Sequence, residues 1–125
     1  MLANSGEITD PWGSNEPALE AVAWYQGNSV DWTQPVAQLQ PNGWGLYDMH
    51  GNLFKWVNGF EYAYAADPVS DPVSPMTGGN RVAKGGAWTR PSHYHRVAFR
   101  RLRETLDYRG PKQGFRPVRT VAAGY

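Results

Sequence analysis

The side chains best suited to chemistry crowd into one stretch of this 125-residue chain, from Arg90 through His93, Tyr94, His95, Arg96 and Arg100 to Arg103. In an extended segment His93 and His95 would share a face, because strand side chains alternate with a period of two. Two imidazoles so placed, with a third ligand such as Asp48 or Glu61, would suit zinc, copper or iron. The plainer reading, which we prefer, makes them surface or loop histidines that bond backbone carbonyls. His50, elsewhere in the chain, is read the same way. The arginines Arg96, Arg100, Arg101 and Arg103 also have two readings. They would line a cleft for an anionic ligand or a nucleic-acid patch, or pair with carboxylates such as Asp48, Glu61 and Asp107. Planar guanidinium forks suit buried carboxylates, so pairing is preferred, and nucleic acid is not the expected partner.

Much other chemistry is excluded. The chain has no cysteine, so it offers no disulfide, no Cys-ligated zinc or iron–sulfur centre and no thiol nucleophile. No phosphate loop, Gly-x-Ser-x-Gly elbow or His-Glu-x-x-His motif occurs. No apolar run reaches the roughly 18 residues that a membrane-spanning helix needs, and no membrane partner is expected. Met1 to Gly13 lack the basic and apolar regions of a secretory signal, a slight lean toward the cytoplasm. The net charge of +1 hides a split: residues 1–75 carry nine acids and one base, Lys55, whereas residues 76–125 carry eleven bases and two acids. The two parts are expected to neutralise each other on folding.

The elements that must position these residues are short. Fourteen glycines and ten prolines mark many turns, and six tryptophans, seven tyrosines and four phenylalanines mark an ordered aromatic core rather than a disordered chain. Met1 to Glu16 reads as an arm. Glu16-Pro17 would start a short helix over Ala18 to Tyr25. Thr33 to Leu39 suits a strand, Pro41 to Gly45 a tight turn, and Leu46 to Val57 a compact apolar segment. The Asp-Pro-Val-Ser repeat at 67–74 reads as a stiff surface loop. Arg81 to Trp88 and Gly114 to Thr120 read as strands, and Tyr94 to Leu102 as a strand or a short bridging segment. Short strands, little helix and long ordered loops indicate an α+β or irregular β domain.

Three segments, in order, carry a family resemblance: Pro41-Asn42-Gly43-Trp44-Gly45-Leu46-Tyr47-Asp48-Met49-His50-Gly51-Asn52-Leu53-Phe54-Lys55-Trp56, then Arg81-Val82-Ala83-Lys84-Gly85-Gly86-Ala87-Trp88, then Gln113-Gly114-Phe115-Arg116-Pro117-Val118-Arg119. Together they resemble the signatures of the formylglycine-generating enzyme (sulfatase-modifying factor) family, over about residues 17–120. The resemblance implies one α+β domain of the modified C-type-lectin-like fold, with a small antiparallel sheet and much irregular loop. The family domain is longer, and this chain corresponds to its C-terminal part, either as a natural minimal form or as a fragment. The family's oxidases bind copper through two cysteines; alignment on Gly85-Gly86 puts Arg90 and His95 at those positions. Arginine stays protonated and is no metal ligand, so the resemblance implies loss of that oxidase chemistry.

Where family members carry a calcium-binding carboxylate, this chain has Lys55, whose ammonium would replace the cation; a second calcium site cannot be aligned, so calcium stays open and no other cofactor is expected. The resemblance also makes Trp44, Trp56 and Trp88 core residues, leaving Trp12, Trp24 and Trp32 for an interface. The expected function is a non-catalytic binding module whose ligand meets Arg90, Tyr94, His95, Arg96, Arg100 and Arg103. The alternative is an enzyme or enzyme subunit with a His93 and His95 metal site, or a substrate-binding role, in oxidative sulfur chemistry. A third possibility is an inactive remnant. Exposed apolar surface left by the short domain is expected to be covered by a second copy, most simply in a dimer, or by a partner chain.

Overall fold

The computed structural model describes residues 16–63, 67, 68, 70, 74–104 and 107–118, with backbone only for 102–104. Glu16 is buried; its N–H donates to the Tyr25 hydroxyl at 2.8 Å, and its carboxylate accepts from Ala18 N–H at 3.4 Å. Pro17 takes the first helical position, where a missing N–H is harmless. Helix α1 (Pro17–Glu20) lasts one turn. It ends before the expected Tyr25 because Ala23 and Trp24 leave it as strand β1 (Ala23–Trp24). This strand runs parallel to β2 (His50–Gly51), with Ala23 opposite His50 and Trp24 opposite Gly51. Leu19, Ala23 and Tyr25 are buried together, with Val22 packed on them.

The second sheet carries the main core. Its order is β5-β4-β3-β6, formed by β3 (Phe54–Phe60), β4 (Arg81–Lys84), β5 (Arg101–Glu104) and β6 (Gln113–Gly114). β3 and β5 both pair antiparallel with β4, but β6 joins β3 in parallel. The sheet is therefore mixed, where an antiparallel one was expected. A parallel neighbour cannot come from a hairpin, and β6 arrives after the 107–112 segment, where Phe54 N–H donates to Lys112 O at 2.9 Å. The β3–β4 register shifts between Trp56 and Phe60. Gly59, at φ +106°, lies in that shift, and a Cβ there would come within 2.1 Å of Ser74 Cβ. Only glycine lets residues 74 and 75 cross so close. Phe54, Ala83 and Ala87 form the core with Trp56, Tyr94 and Phe99 against them. Arg101 caps it, its guanidinium 4.8 Å from the Phe54 ring centroid.

Amides hold the loops. Asn42 Oδ1 accepts from Trp44 and Leu46 N–H, both at 3.0 Å. Buried Asn52 exchanges bonds with Gln34, Nδ2 to O at 2.8 Å and N–H to Oδ1 at 3.1 Å; its own N–H reaches Trp24 O and its O accepts from Trp88 N–H. Those two asparagines of the first signature thus tie three loops to the sheets. Several expected elements differ. Thr33–Leu39 is loop, because Ala37 turns with φ +60° and gives its N–H to Asp48 at 2.8 Å rather than to a strand. Of the expected strand Gly114–Thr120, Gly114 lies in β6 and 115–118 are loop, with Phe115 78% exposed, while 119 and 120 lie outside the described residues. Trp44 is 64% exposed rather than core, since its turn is held by Asn42 without it. Trp56 and Trp88 are half-buried, as is Trp24, whereas Trp32 is exposed. Trp12, most of the 1–16 arm and half of the 67–74 repeat lie outside the described residues.

Candidate functional site

Residues Ser92–His95 form a 3-10 turn, so the stretch from Tyr94 to Leu102 starts as a turn and becomes strand only where Arg101 and Leu102 enter β5. The carbonyl of Pro91 closes it, accepting from Tyr94 N–H and from His95 Nδ1, each at 3.2 Å. A carbonyl can only accept, so Nδ1 carries the proton. His95 Nε2 is then an unprotonated nitrogen, buried and without a hydrogen-bond partner. The ring is 1% exposed. Burial pushes its pKa down to about 4, against the raising pull of the Pro91 carbonyl and with further lowering from His50 and Lys55. Gly86, at φ +77°, makes room: a Cβ there would lie 2.4 Å from His95 Cδ2 and 2.5 Å from Nε2. Tyr25 meets the ring edge-on, centroids 6.0 Å apart.

His93 is also buried, but among other residues, stacked 4.1 Å from Tyr94 and edge-on to Phe99. The two imidazoles therefore do not share an open face. His50, its pKa lowered chiefly by burial, lies by the His95 carbonyl and keeps a buried Nδ1 without a partner. Among the described residues no three His, Cys, Asp or Glu side chains gather as a metal site. Arg90 sits 5.1 Å over the Tyr94 ring, and its carbonyl accepts from Gln26 N–H at 3.1 Å. Arg90, Tyr94 and His95 are thus one packed turn. Arg96 and Arg100 go elsewhere. Arg96 Nε donates to His93 O at 3.2 Å and Arg100 Nη1 to Tyr62 O at 2.8 Å; both lie near Lys84. Arg103 lies on β5, and its side chain is outside the described residues.

Lys55, half-buried on β3, lies where two clefts meet. Its Nζ donates to Gly51 O at 2.6 Å. Burial pushes its pKa down to about 8, opposed by Asp48 and assisted by Arg116. Lys55 and Arg116 line two clefts. One, about 420 Å³, is bounded by Val36, Leu46, Tyr47, Asp48 and Phe115. The other, about 390 Å³, is bounded by Met49, Trp56, Val97, Val118, Lys84 and Arg96. Of the expected binding residues, Arg96 lines one of these two clefts. Lys84, Lys55 and Arg116 line these clefts although sequence reasoning did not single them out for binding; their membership of the three signatures marks them as scaffold.

A family model, the sulfatase-modifying factor enzyme 1-like domain, matches residues 6–121. The chain belongs to that family. It is 37% identical over 89 residues to the formylglycine-generating enzyme of Streptomyces coelicolor, covering 67% of this chain and 28% of that one. It is 32% identical over 119 residues to the chaperone protein LppX of Paenibacillus barcinonensis, covering 94% of this chain and 36% of that one. Among solved structures, Treponema denticola variable protein 1 superposes with a TM-score of 0.75 at 28% identity, over 90% of this chain and 41% of that one. PvdO from Pseudomonas aeruginosa gives 0.70 at 26%, over 88% and 42%. The chain thus spans 28% to 42% of the length of these relatives. The α+β architecture of small sheets and long loops is that of the sulfatase-modifying-factor fold. The two positions that the family resemblance assigns to copper do not fit that metal here: Arg90 has no acceptor atom, and His95 Nε2 is sealed under Gly86. Nor does Lys55 fit calcium, since an ammonium offers donors where calcium needs oxygen ligands.

Proposed function

We propose that this chain is a binding module on the sulfatase-modifying-factor fold, without oxidase chemistry of its own. The observation that carries this reading is the packed Arg90–His95 turn. One copper position is an arginine stacked on Tyr94, and the other is a histidine held by Pro91 and covered by Gly86. Open space remains instead at the two clefts beside Lys55, and a ligand would enter the one that Val36 and Phe115 do not line. In this reading Lys55 acts as an internal cation, its ammonium on the Gly51 carbonyl. The exposed Trp44 and Phe115, with Val36, are covered by a second copy of the chain. The test combines cuprous-ion titration against a competing chelator with oxygen uptake in the presence of a cysteine-containing peptide. The expected result is no stoichiometric copper and no oxygen consumption above buffer. One copper per chain, lost in His95→Ala, would overturn the reading in favour of an enzyme with a histidine-based metal site.

A further inference from the structure

Resting on that binding reading, we infer that the 390 Å³ cleft takes an anionic ligand with an apolar body, a carboxylate or phosphate monoester on an alkyl or aryl chain. Its apolar lining is Met49 beside β2, Trp56 and Val57 of β3, then Val97 and Val118, with His50 and Asn58 as neutral polar neighbours. Its charged groups are all cationic. Lys55, Lys84, Arg96 and Arg116 line it, and no acidic side chain does so among the described residues. The neighbouring 420 Å³ cleft differs on this point, because Asp48 lines it beside Lys55 and Arg116.

The cations are also underused. Lys84 is half-buried, and its ammonium has no hydrogen bond among the described residues. Burial and then the nearby Arg100 both act against its charged form. Arg96 bonds the His93 carbonyl through Nε, and Arg116 bonds the Tyr47 carbonyl through Nη2. These bonds orient both guanidiniums and leave other N–H groups of each unused among the described residues. Like charges gathered against an apolar wall repel, and Lys55 and Lys84 are in addition partly buried there, which costs their charged forms hydration. A bound anion would relieve both costs, and oriented guanidiniums suit carboxylate or phosphate oxygens. The volume falls in the ordinary range for small-molecule sites, about 300–1,000 Å³. Trp56 and the valines would then cover the chain of the ligand.

The experiment titrates the intact protein calorimetrically with decanoate, decyl phosphate, decanol, decyltrimethylammonium and inorganic phosphate, all below micelle concentrations. The two amphiphilic anions are expected to bind about tenfold or more tighter than decanol, the order expected for one charge-assisted contact. The cation should not bind, and inorganic phosphate alone should be far weaker. The preferred anion of the pair names the headgroup. Lys84→Gln should weaken the anions about tenfold and leave decanol unchanged; Arg96→Gln gives the same reading if the first variant fails to fold. Decanol binding as tightly as decanoate would overturn the anion inference and leave the binding reading standing. Inorganic phosphate equal to decyl phosphate would remove the apolar body from the inference. No binding by any compound would count against both. Self-association that Lys84→Gln abolishes would mean that a second copy fills the cleft, and would overturn the small-ligand inference.

Discussion

Lowering the pH from 7 to 5 should cost the fold about 2 kcal/mol through His95 alone. Its ring is 1% exposed and Nδ1–H is committed to the Pro91 carbonyl. Burial takes its pKa from the ordinary 6.5 down to about 4. The unfolded chain therefore accepts a proton near pH 6.5, while the folded chain resists until about pH 4. Stability from the neutral ring is fully present above 6.5, drains away through this window and is gone below 4. The slope inside the window approaches about 1.4 kcal/mol per pH unit, and the whole window is worth about 3 kcal/mol. That is a large share of the roughly 5–15 kcal/mol that holds an ordinary domain. His50, also lowered chiefly by burial, acts in the same direction.

Urea unfolding followed by tryptophan fluorescence at pH 7, 6 and 5 reads the effect directly. The native chain should lose stability across the series. His95→Gln starts lower at pH 7 but should lose about 2 kcal/mol less on going to pH 5. His50→Gln, as a second variant, should flatten the slope in part. An equal slope in the native chain and in His95→Gln, with unchanged m-values, would refute the reasoning, because the protonated ring would then be tolerated inside.

Other outcomes follow from single contacts. Gly86→Ala combines φ +77° with a Cβ 2.4 Å from the His95 ring; it should cost about 2–4 kcal/mol and lower the melting temperature visibly in calorimetry. Lys55→Glu puts a carboxylate close to Asp48 and the Gly51 carbonyl; its melting point should drop in EDTA and recover in millimolar calcium, and indifference to calcium would speak against Lys55 standing in for a cation. Trp44→Ser with Phe115→Ser should shift sedimentation from dimer to monomer, whereas a native chain that is monomeric at high concentration would contradict the covering by a second copy.

The signatures were legible where local chemistry determines them. Asn42 bonds the backbone of its own turn, which needs little else, whereas the bonds of Asn52 to Gln34, Trp24 and Trp88 are long-range and only its place in the signature marks it. The α+β class followed from short apolar stretches between Gly and Pro. The alternation from Tyr94 to Leu102 suits a strand, and its last two residues enter β5, yet the Pro91 carbonyl captures both Tyr94 N–H and His95 Nδ1 and winds the start into a turn. No alternation pattern contains that competition. The helix from Pro17 was read too long because the pull of β2 on Ala23 and Trp24 is a long-range pairing. The cleft was hidden for a similar reason. Lys84, Arg96 and Arg116 come from three separate segments, and density of arginines along the chain pointed to Arg90 and Arg103 instead. Trp44 was taken for core from its place in a signature, although its turn needs only its backbone N–H.

The most direct test of the binding account is where a ligand touches the chain. Backbone amide NMR shifts, followed during titration with decanoate or decyl phosphate, would map it. The account predicts saturable shifts at Trp56, Val57, Lys84, Arg96 and Val97, with Arg90 and Tyr94 little changed. Shifts centred on Arg90 to His95, with the residues of the cleft unmoved, would contradict it.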